Sequence, residues 1–127
     1  MPTNVKDMLA AANAEVPRIS ADEAHRMVKE QNAVIVDVRD PAELAAAGKI
    51  PGSVNIPRGM LEFRADATSQ YHDANLSPDR PIILHCASGG RSALSGATLR
   101  QMGYTNVHNL GGFKPDWVDA GGEVEKV

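Results

Sequence analysis

The stretch that decides the fold is residues 81–92, which read Pro-Ile-Ile-Leu-His-Cys-Ala-Ser-Gly-Gly-Arg-Ser. Its apolar beginning is typical of a strand covered on both faces, as in a parallel sheet. Small residues follow, and the spacing of the next apolar side chains predicts a helix from Gly90 to Met102, closed by Gly103. Cys86 is therefore expected at the carboxyl end of a strand, where ligands bind in α/β folds.

Strands and helices alternate on both sides of this stretch. Ser20 and Glu23 have the spacing of a capping box, and Gly48 is the expected end of a helix that begins after Asp40. The predicted strands are residues 33–38, 52–56, 81–85 and 107–110, and the predicted helices are residues 4–14, 20–30, 40–48, 58–67, 90–102 and 113–120. We expect Met60, Leu61 and Phe63 to lie in the core. The order of elements predicts an α/β fold with a mostly parallel sheet.

Length and composition restrict the class of protein. The 127 residues predict a single domain over residues 1–127, and 43% apolar with 23% charged residues is an ordinary globular composition. The net charge of −3, without a Lys/Arg run, argues against a nucleic-acid partner. The apolar runs are too short to cross a membrane and no secretory leader is visible, so a cytoplasmic protein is expected.

Cys86 is the single cysteine, which excludes an internal disulfide and any site built on a cysteine pair. The four histidines lack ligand spacing, so no metal site is expected. Ala87 to Gly90 can turn several backbone amides toward one point at a helix N-terminus, and Arg91 adds a positive charge. Such surroundings favour a thiolate, which predicts nucleophilic catalysis at Cys86 on a small anion. The alternative is a small apolar filler at the end of a strand.

Other polar residues have two interpretations each. Arg58 is a candidate second positive charge for a doubly charged anion, or an ordinary surface arginine. Asp37 and Arg39 share one face of a strand end, so they can pair with each other or with the loop after Cys86, and a structural role is favoured. His85 should point away from Cys86, on the opposite face of the sheet. Ser88 and Ser92 are candidates for hydrogen bonds to the thiolate or for helix capping.

Several short motifs carry a family resemblance. They are Asp37-Val38-Arg39, residues 48–57 (Gly-Lys-Ile-Pro-Gly-Ser-Val-Asn-Ile-Pro), residues 86–92 (Cys-Ala-Ser-Gly-Gly-Arg-Ser), Gly103-Tyr104, Asn106-Val107, residues 110–113 (Leu-Gly-Gly-Phe), Trp117 and Ala120-Gly121. In this order and spacing they resemble the single-domain form of the rhodanese (sulfurtransferase) domain over about residues 19–124. The resemblance implies a three-layer sandwich with helices on both faces of the sheet.

The resemblance also implies a reaction. Cys86 would take the outer sulfur of a donor such as thiosulfate, form a persulfide, and pass the sulfur to cyanide, a thiol or a protein. The predicted substrate-binding residues are Ala87, Ser88, Gly89, Gly90, Arg91 and Arg58. No cofactor or metal is implied. The family often has His where this chain has Lys49.

Two other functions remain open. One is a persulfide carrier or redox-sensing module with low turnover of its own, since a lone thiol can oxidise. The other is a phosphatase or arsenate reductase, which uses a similar cysteine–arginine loop. Four residues separate Cys86 from Arg91, whereas the related cell-cycle phosphatases have one more, and the shorter loop favours sulfur transfer.

Overall fold

The computed structural model describes residues 2–127 and contains one parallel sheet of four strands. The strands are β1 (Val34–Asp37), β2 (Val54–Asn55), β3 (Ile82–Cys86) and β4 (Val107–Gly112), in the order β2-β1-β3-β4. The helices are α1 (Val5–Glu15), α2 (Ala21–Gln31), α3 (Pro41–Ala47), α4 (Leu61–Ala65) and α5 (Gly90–Gln101). A 3₁₀ turn (Arg58–Met60) precedes α4, and a π-helical turn (Phe113–Val118) follows β4. None of the helices within residues 2–127 combines the length and apolar character that a membrane crossing requires.

The sheet is covered on both faces, as the sequence predicts. One face packs on α4 and α5 through Val36, Leu84 and Leu99, which are fully buried. The opposite face, with Ile35 and Ile83, packs on α2 and the π-helical turn. Alternate side chains of each central strand enter different cores, so both faces are apolar. The α/β, three-layer architecture with a parallel sheet is confirmed.

The helix α1 lies outside this sandwich, against α5. The chain leaves α1 through Val16, which is 1% exposed, and a Cβ atom at Gly96 of α5 would lie 2.9 Å from the methyl groups of Val16. Only glycine therefore allows this approach at position 96. The middle of α1 contacts the N-terminus of α5, since a methyl group of Leu9 lies 3.8 Å from where a Cβ of Gly90 would be.

The parallel strands bring three chain segments together at their carboxyl ends. Strands β1, β3 and β4 end side by side, at Asp37, Cys86 and Gly112. Between Leu84 and His85 of β3, the partner strand β4 has one extra residue, which shifts the pairing register by one. A Cβ atom at Gly112 would lie 2.6 Å from the carbonyl oxygen of Ala87. The glycine at position 112 is therefore what lets β4 lie against the loop after Cys86.

One core prediction is wrong. Leu61 is fully buried and Met60 is partly buried, but Phe63 is 53% exposed and meets Tyr71 edge to face. The cause is the helical period: Leu61 and Ala65 are four residues apart and occupy the buried stripe of the five-residue helix α4, which turns Phe63 outward. The segment 68–80, which follows α4, is also anchored in the core by Leu76, which is 1% exposed.

Candidate active site

Cys86 is the last residue of β3, and its side chain is fully buried on the face of the sheet that α5 covers. Pairing with Gly112 of β4 fixes the backbone at Cys86, and β1 pairs with the preceding residue, His85. His85 faces the other side, where its ring stacks on Phe113 with 5.9 Å between ring centroids. The predicted opposite orientation of His85 and Cys86 is confirmed.

The loop after Cys86 turns back on its sulfur. Gly89 has φ of +103°, a left-handed conformation that favours glycine, and its backbone N–H donates to Sγ of Cys86 at 3.0 Å. The Ser92 hydroxyl lies 3.5 Å from the same sulfur. Ala87 and Ser88 are exposed while Cys86 and Gly89 are buried. The sulfur thus lies at the base of the loop, and small residues form the rim.

These contacts favour the thiolate. Burial by itself raises the pKa of Cys86, but hydrogen bonds from the Ser92 hydroxyl and from the amides of Ser92, Gly89 and Ser88 lower it, and the net pKa lies below its usual value. Hydrogen bonds to a charged form favour that form. A thiolate is the reactive form of cysteine, so the site suits nucleophilic attack.

A buried polar network lies beneath the loop. The Ser92 hydroxyl is 2.8 Å from Oδ1 of Asn109 and 3.1 Å from the carbonyl oxygen of Gly89. Oδ1 of Asn109 also accepts from the amide of Gly111 at 2.9 Å. Asn109 was not predicted as a site residue. The sequence feature that could have indicated Asn109 is its polar side chain in a strand that is otherwise mostly apolar, since a buried amide needs hydrogen-bond partners.

Arg91 lies in the first turn of α5 and forms a two-pronged ion pair with Glu43 of α3. Its two terminal nitrogens are each 2.8 Å from a carboxylate oxygen of Glu43. One of these oxygens also accepts from the amide of Asp40 at 2.9 Å. The hydrogen bonds with Arg91 and Asp40 lower the pKa of Glu43 from 4.5 to about 2. The sequence predicts a helix that begins after Asp40 and so contains Glu43, but it does not indicate this pair.

A second ionic cluster lies on the other face of the sheet. Arg39 is 2% exposed and Asp37 is fully buried, and Nη2 of Arg39 lies 2.7 Å from Oδ2 of Asp37. The same nitrogen donates to the carbonyl oxygen of Gly48, and the guanidinium lies over the ring of Phe113. The two residues pair with each other, as the structural interpretation expects, and Nε2 of His85 lies 3.6 Å from Asp37. Burial lowers the pKa of His85, which favours a neutral ring there.

Arg58, the other predicted substrate-binding residue, pairs with Glu62 of α4 and Thr98 of α5. Its guanidinium contacts Glu62 at 2.8 Å and donates to the hydroxyl of Thr98 at 3.2 Å. Thr98 lies two turns beyond the N-terminus of α5. Lys49 donates to the carbonyl oxygen of Ser53. The hydrogen bonds to Sγ of Cys86 come from the loop up to Ser92, and the role of Arg58 in binding substrate stays a prediction.

The described residues 2–127 hold no cluster of three or more His, Cys, Asp or Glu side chains suited to a metal ion. The chemistry that the arrangement offers is that of a stabilised sulfur anion. Amide donors point at Sγ, and the same donors can hold a negative charge that moves onto an atom bonded to Sγ.

Comparison with known proteins gives a consistent picture. A family model described as "Rhodanese-like domain" matches residues 20–120. A sulfurtransferase from Allochromatium vinosum is 32% identical over 98 residues, which cover 77% of this chain and 83% of that protein. The thiosulfate:glutathione sulfurtransferase of Homo sapiens is 30% identical over 112 residues, covering 84% and 96%.

A solved structure from Rhodopseudomonas palustris is also similar. It superposes with a TM-score of 0.88 at 41% identity, covering 98% of this chain and 96% of that one. It is named a protein of unknown function and a possible tyrosine phosphatase.

Proposed function

Because this chain belongs to the rhodanese-like domain family of sulfurtransferases, we propose that it moves a sulfane sulfur from a donor such as thiosulfate, through a persulfide on Cys86, to a thiophilic acceptor. The observation that carries the proposal is the buried sulfur of Cys86 with the Gly89 amide 3.0 Å away and a lowered pKa. The human relative is named for thiosulfate and glutathione, which makes both reasonable first substrates.

The first half-reaction loads the enzyme. The Cys86 thiolate attacks the outer sulfur of thiosulfate, the S–S bond of thiosulfate breaks, and its electron pair leaves with sulfite. One negative charge now lies on the terminal sulfur of the persulfide. The amides of Gly89 and its neighbours that lower the pKa of Cys86 are placed to hold this charge. Loading needs neither an oxidant nor a cofactor.

The second half-reaction returns the free thiolate. Cyanide attacks the terminal sulfur of the persulfide, the sulfur–sulfur bond to Cys86 breaks, and thiocyanate leaves while Sγ regains its electron pair. A thiolate acceptor reacts in the same way and becomes a persulfide itself. The lowered pKa of Cys86 also makes its thiolate a better leaving group in this step.

The test is intact mass spectrometry of the reduced protein after mixing with thiosulfate. We expect the wild type to gain one sulfur atom and the Cys86→Ala variant to gain none. Cyanide should then remove the sulfur and release thiocyanate. If the folded wild type, with its thiol free, gains no sulfur, the proposed reaction with thiosulfate is wrong. Loading by a cysteine desulfurase would then support a persulfide carrier instead.

The phosphatase alternative is motivated by the name of the R. palustris structure. The loop itself argues against it, because only four residues separate Cys86 from Arg91 and both terminal nitrogens of Arg91 are paired with Glu43. A phosphate ester needs donors around three oxygens beside the thiolate. Turnover of an aryl phosphate that is lost in Cys86→Ala would support the alternative.

A further inference from the structure

The basic side chains that border the active-site loop are paired with carboxylates. Arg91 holds Glu43 through both terminal nitrogens at 2.8 Å. The guanidinium of Arg18, which lies 3.9 Å from where a Cβ of Gly89 would be, is 3.3 Å from Asp116. An anionic donor that approaches the loop therefore meets two positive charges that are already neutralised.

Arg91 lies in the first turn of α5, directly before Ser92, whose hydroxyl is 3.5 Å from Sγ of Cys86. The charge of the Cys86 thiolate contributes to raising the pKa of Arg91, after the larger effect of its hydrogen bonds with Glu43. Both side chains of the pair are only about one-third exposed, at 37% and 35%. Partial burial of this kind limits screening by solvent, so a charge change at Glu43 should be felt at Sγ.

From this geometry we propose that Glu43 is a specificity-determining residue. It neutralises Arg91 and biases the site toward sulfur donors and acceptors with little negative charge, such as singly charged organic persulfides, and against dianions such as thiosulfate. The substrate preference rests on the proposed function, whereas the electrostatic effect of Glu43 on Cys86 does not. Thiosulfate remains a substrate, but its kcat/KM is lower than it would be at the same site without the charge of Glu43.

The electrostatic part can be tested with two alkylating reagents that differ in charge. Iodoacetate is an anion and iodoacetamide is neutral. With both, the Cys86 thiolate attacks the methylene carbon, the carbon–iodine bond breaks and iodide leaves. The ratio of the two rate constants reports the local charge, because a change in the pKa of Cys86 alters both rates equally.

We expect Glu43→Gln to raise the iodoacetate-to-iodoacetamide ratio about fivefold at low salt, which corresponds to about 1 kcal/mol for the removal of one charge at intermediate dielectric. Gln keeps an oxygen that can accept from the amide of Asp40. The gain should shrink in about 1 M salt, where the screening length is about 3 Å. Glu43→Met, uncharged and of similar volume, is the second variant and should shift the ratio in the same direction.

Glu15→Gln is the matched control. Glu15 lies 3.9 Å from Arg100 at the other end of α5, so the variant removes one carboxylate beside an arginine of the same helix. We expect its ratio to equal that of the wild type. A ratio unchanged in both Glu43 variants, or raised equally by Glu15→Gln, would overturn the inference.

The same variants separate this inference from the proposed function. If Glu43→Gln shifts the alkylation ratio and raises kcat/KM for thiosulfate, both stand. If it shifts the ratio while thiosulfate loads neither protein, the inference about charge stands and the proposed reaction fails. If thiosulfate loads the wild type but the alkylation ratio of Glu43→Gln equals that of the wild type, Glu43 does not determine substrate preference.

Discussion

The hydroxyl of Ser92 lies 3.5 Å from Sγ of Cys86, and both side chains are fully buried. This hydroxyl has one proton and three acceptors within reach: the sulfur, the carbonyl oxygen of Gly89 and Oδ1 of Asn109. Because Oδ1 of Asn109 also accepts from Gly111, it stays hydrogen-bonded when the proton turns to the sulfur. The Ser92 hydroxyl can therefore follow the charge on Cys86 without leaving Oδ1 of Asn109 unsatisfied.

The first prediction is that Ser92→Ala raises the pKa of Cys86 by about one unit, the equivalent of one hydrogen bond to a charged group. The reactive thiolate then becomes scarcer at neutral pH, and the rate of alkylation by iodoacetamide falls. The measurement is that rate as a function of pH, whose midpoint is the pKa of Cys86.

Ser95→Ala provides the control for this prediction. Ser95 is also a buried serine of α5, but its hydroxyl donates to the carbonyl oxygen of Arg91 at 2.6 Å. We expect the midpoint of alkylation in this variant to equal that of the wild type. The role assigned to Ser92 would be wrong if the two variants shifted the midpoint alike.

The second prediction concerns the amide of Gly89. An alanine there must hold a φ of +103° and place its Cβ 3.4 Å from Cα of Gly111, so the loop is expected to open. Gly89→Ala should destabilise the protein by about 1–2 kcal/mol. Losing the 3.0 Å hydrogen bond to Sγ should also lower persulfide formation about tenfold. Urea unfolding and the initial rate of loading by thiosulfate measure the two effects.

Gly52→Ala separates the two effects. Gly52 also has a left-handed φ, of +80°, but an added Cβ would meet nothing within 4 Å. This variant should show a similar loss of stability, since the backbone cost is the same in kind, and an unchanged loading rate. Equal loading by both variants would mean that the Gly89 amide does not assist the sulfur.

Much of this site could be predicted because it is local in sequence. The strand that ends at Cys86, the two glycines and the start of α5 lie within a dozen residues, and hydrophobic periodicity with helix-end signals is enough to place them. The orientation of His85 and the shared face of Asp37 and Arg39 followed from the alternation of side chains along a strand.

The residues that escaped prediction act across the fold. Glu43 and Asn109 reach Arg91 and Ser92 from segments 48 and 17 residues away. Nothing in the local pattern around Glu43 distinguishes an ion-pair partner from a helix-capping glutamate, which it also is. Phe63 was misplaced for a different reason, because a five-residue helix has too few turns for its apolar period to be read.

The third prediction is a pH dependence of stability that arises from Glu43. Its pKa is about 2 in the folded protein and about 4.5 when unpaired, so the unfolded chain binds the extra proton first as pH falls. The stabilisation by the pair with Arg91 is fully present above about pH 4.5 and is lost as pH falls toward 2. Glu43→Gln should therefore be less stable than the wild type at neutral pH, by about 0.5–1 kcal/mol for a partly exposed pair.

The measurement is urea unfolding of both proteins from neutral pH down to the acid limit of folding. The difference in unfolding free energy should narrow steadily below about pH 4.5. A difference that stays constant with pH would show that Glu43→Gln does not act through the charge of the carboxylate.

The last prediction concerns the buried pair of Asp37 and Arg39 on the face of the sheet away from Cys86. Arg39→Met leaves the fully buried carboxylate of Asp37 without its partner, and such a loss costs about 3–5 kcal/mol. The double variant Asp37→Asn with Arg39→Met removes both charges and should recover part of that loss.

Because the pair contacts Gly48 and Phe113 rather than the sulfur, iodoacetamide should alkylate Cys86 of the folded variants within about twofold of the wild-type rate. A large loss of alkylation rate in a variant that is fully folded by circular dichroism would instead place the pair among the residues that position Cys86, through the strand end that Asp37 shares with His85.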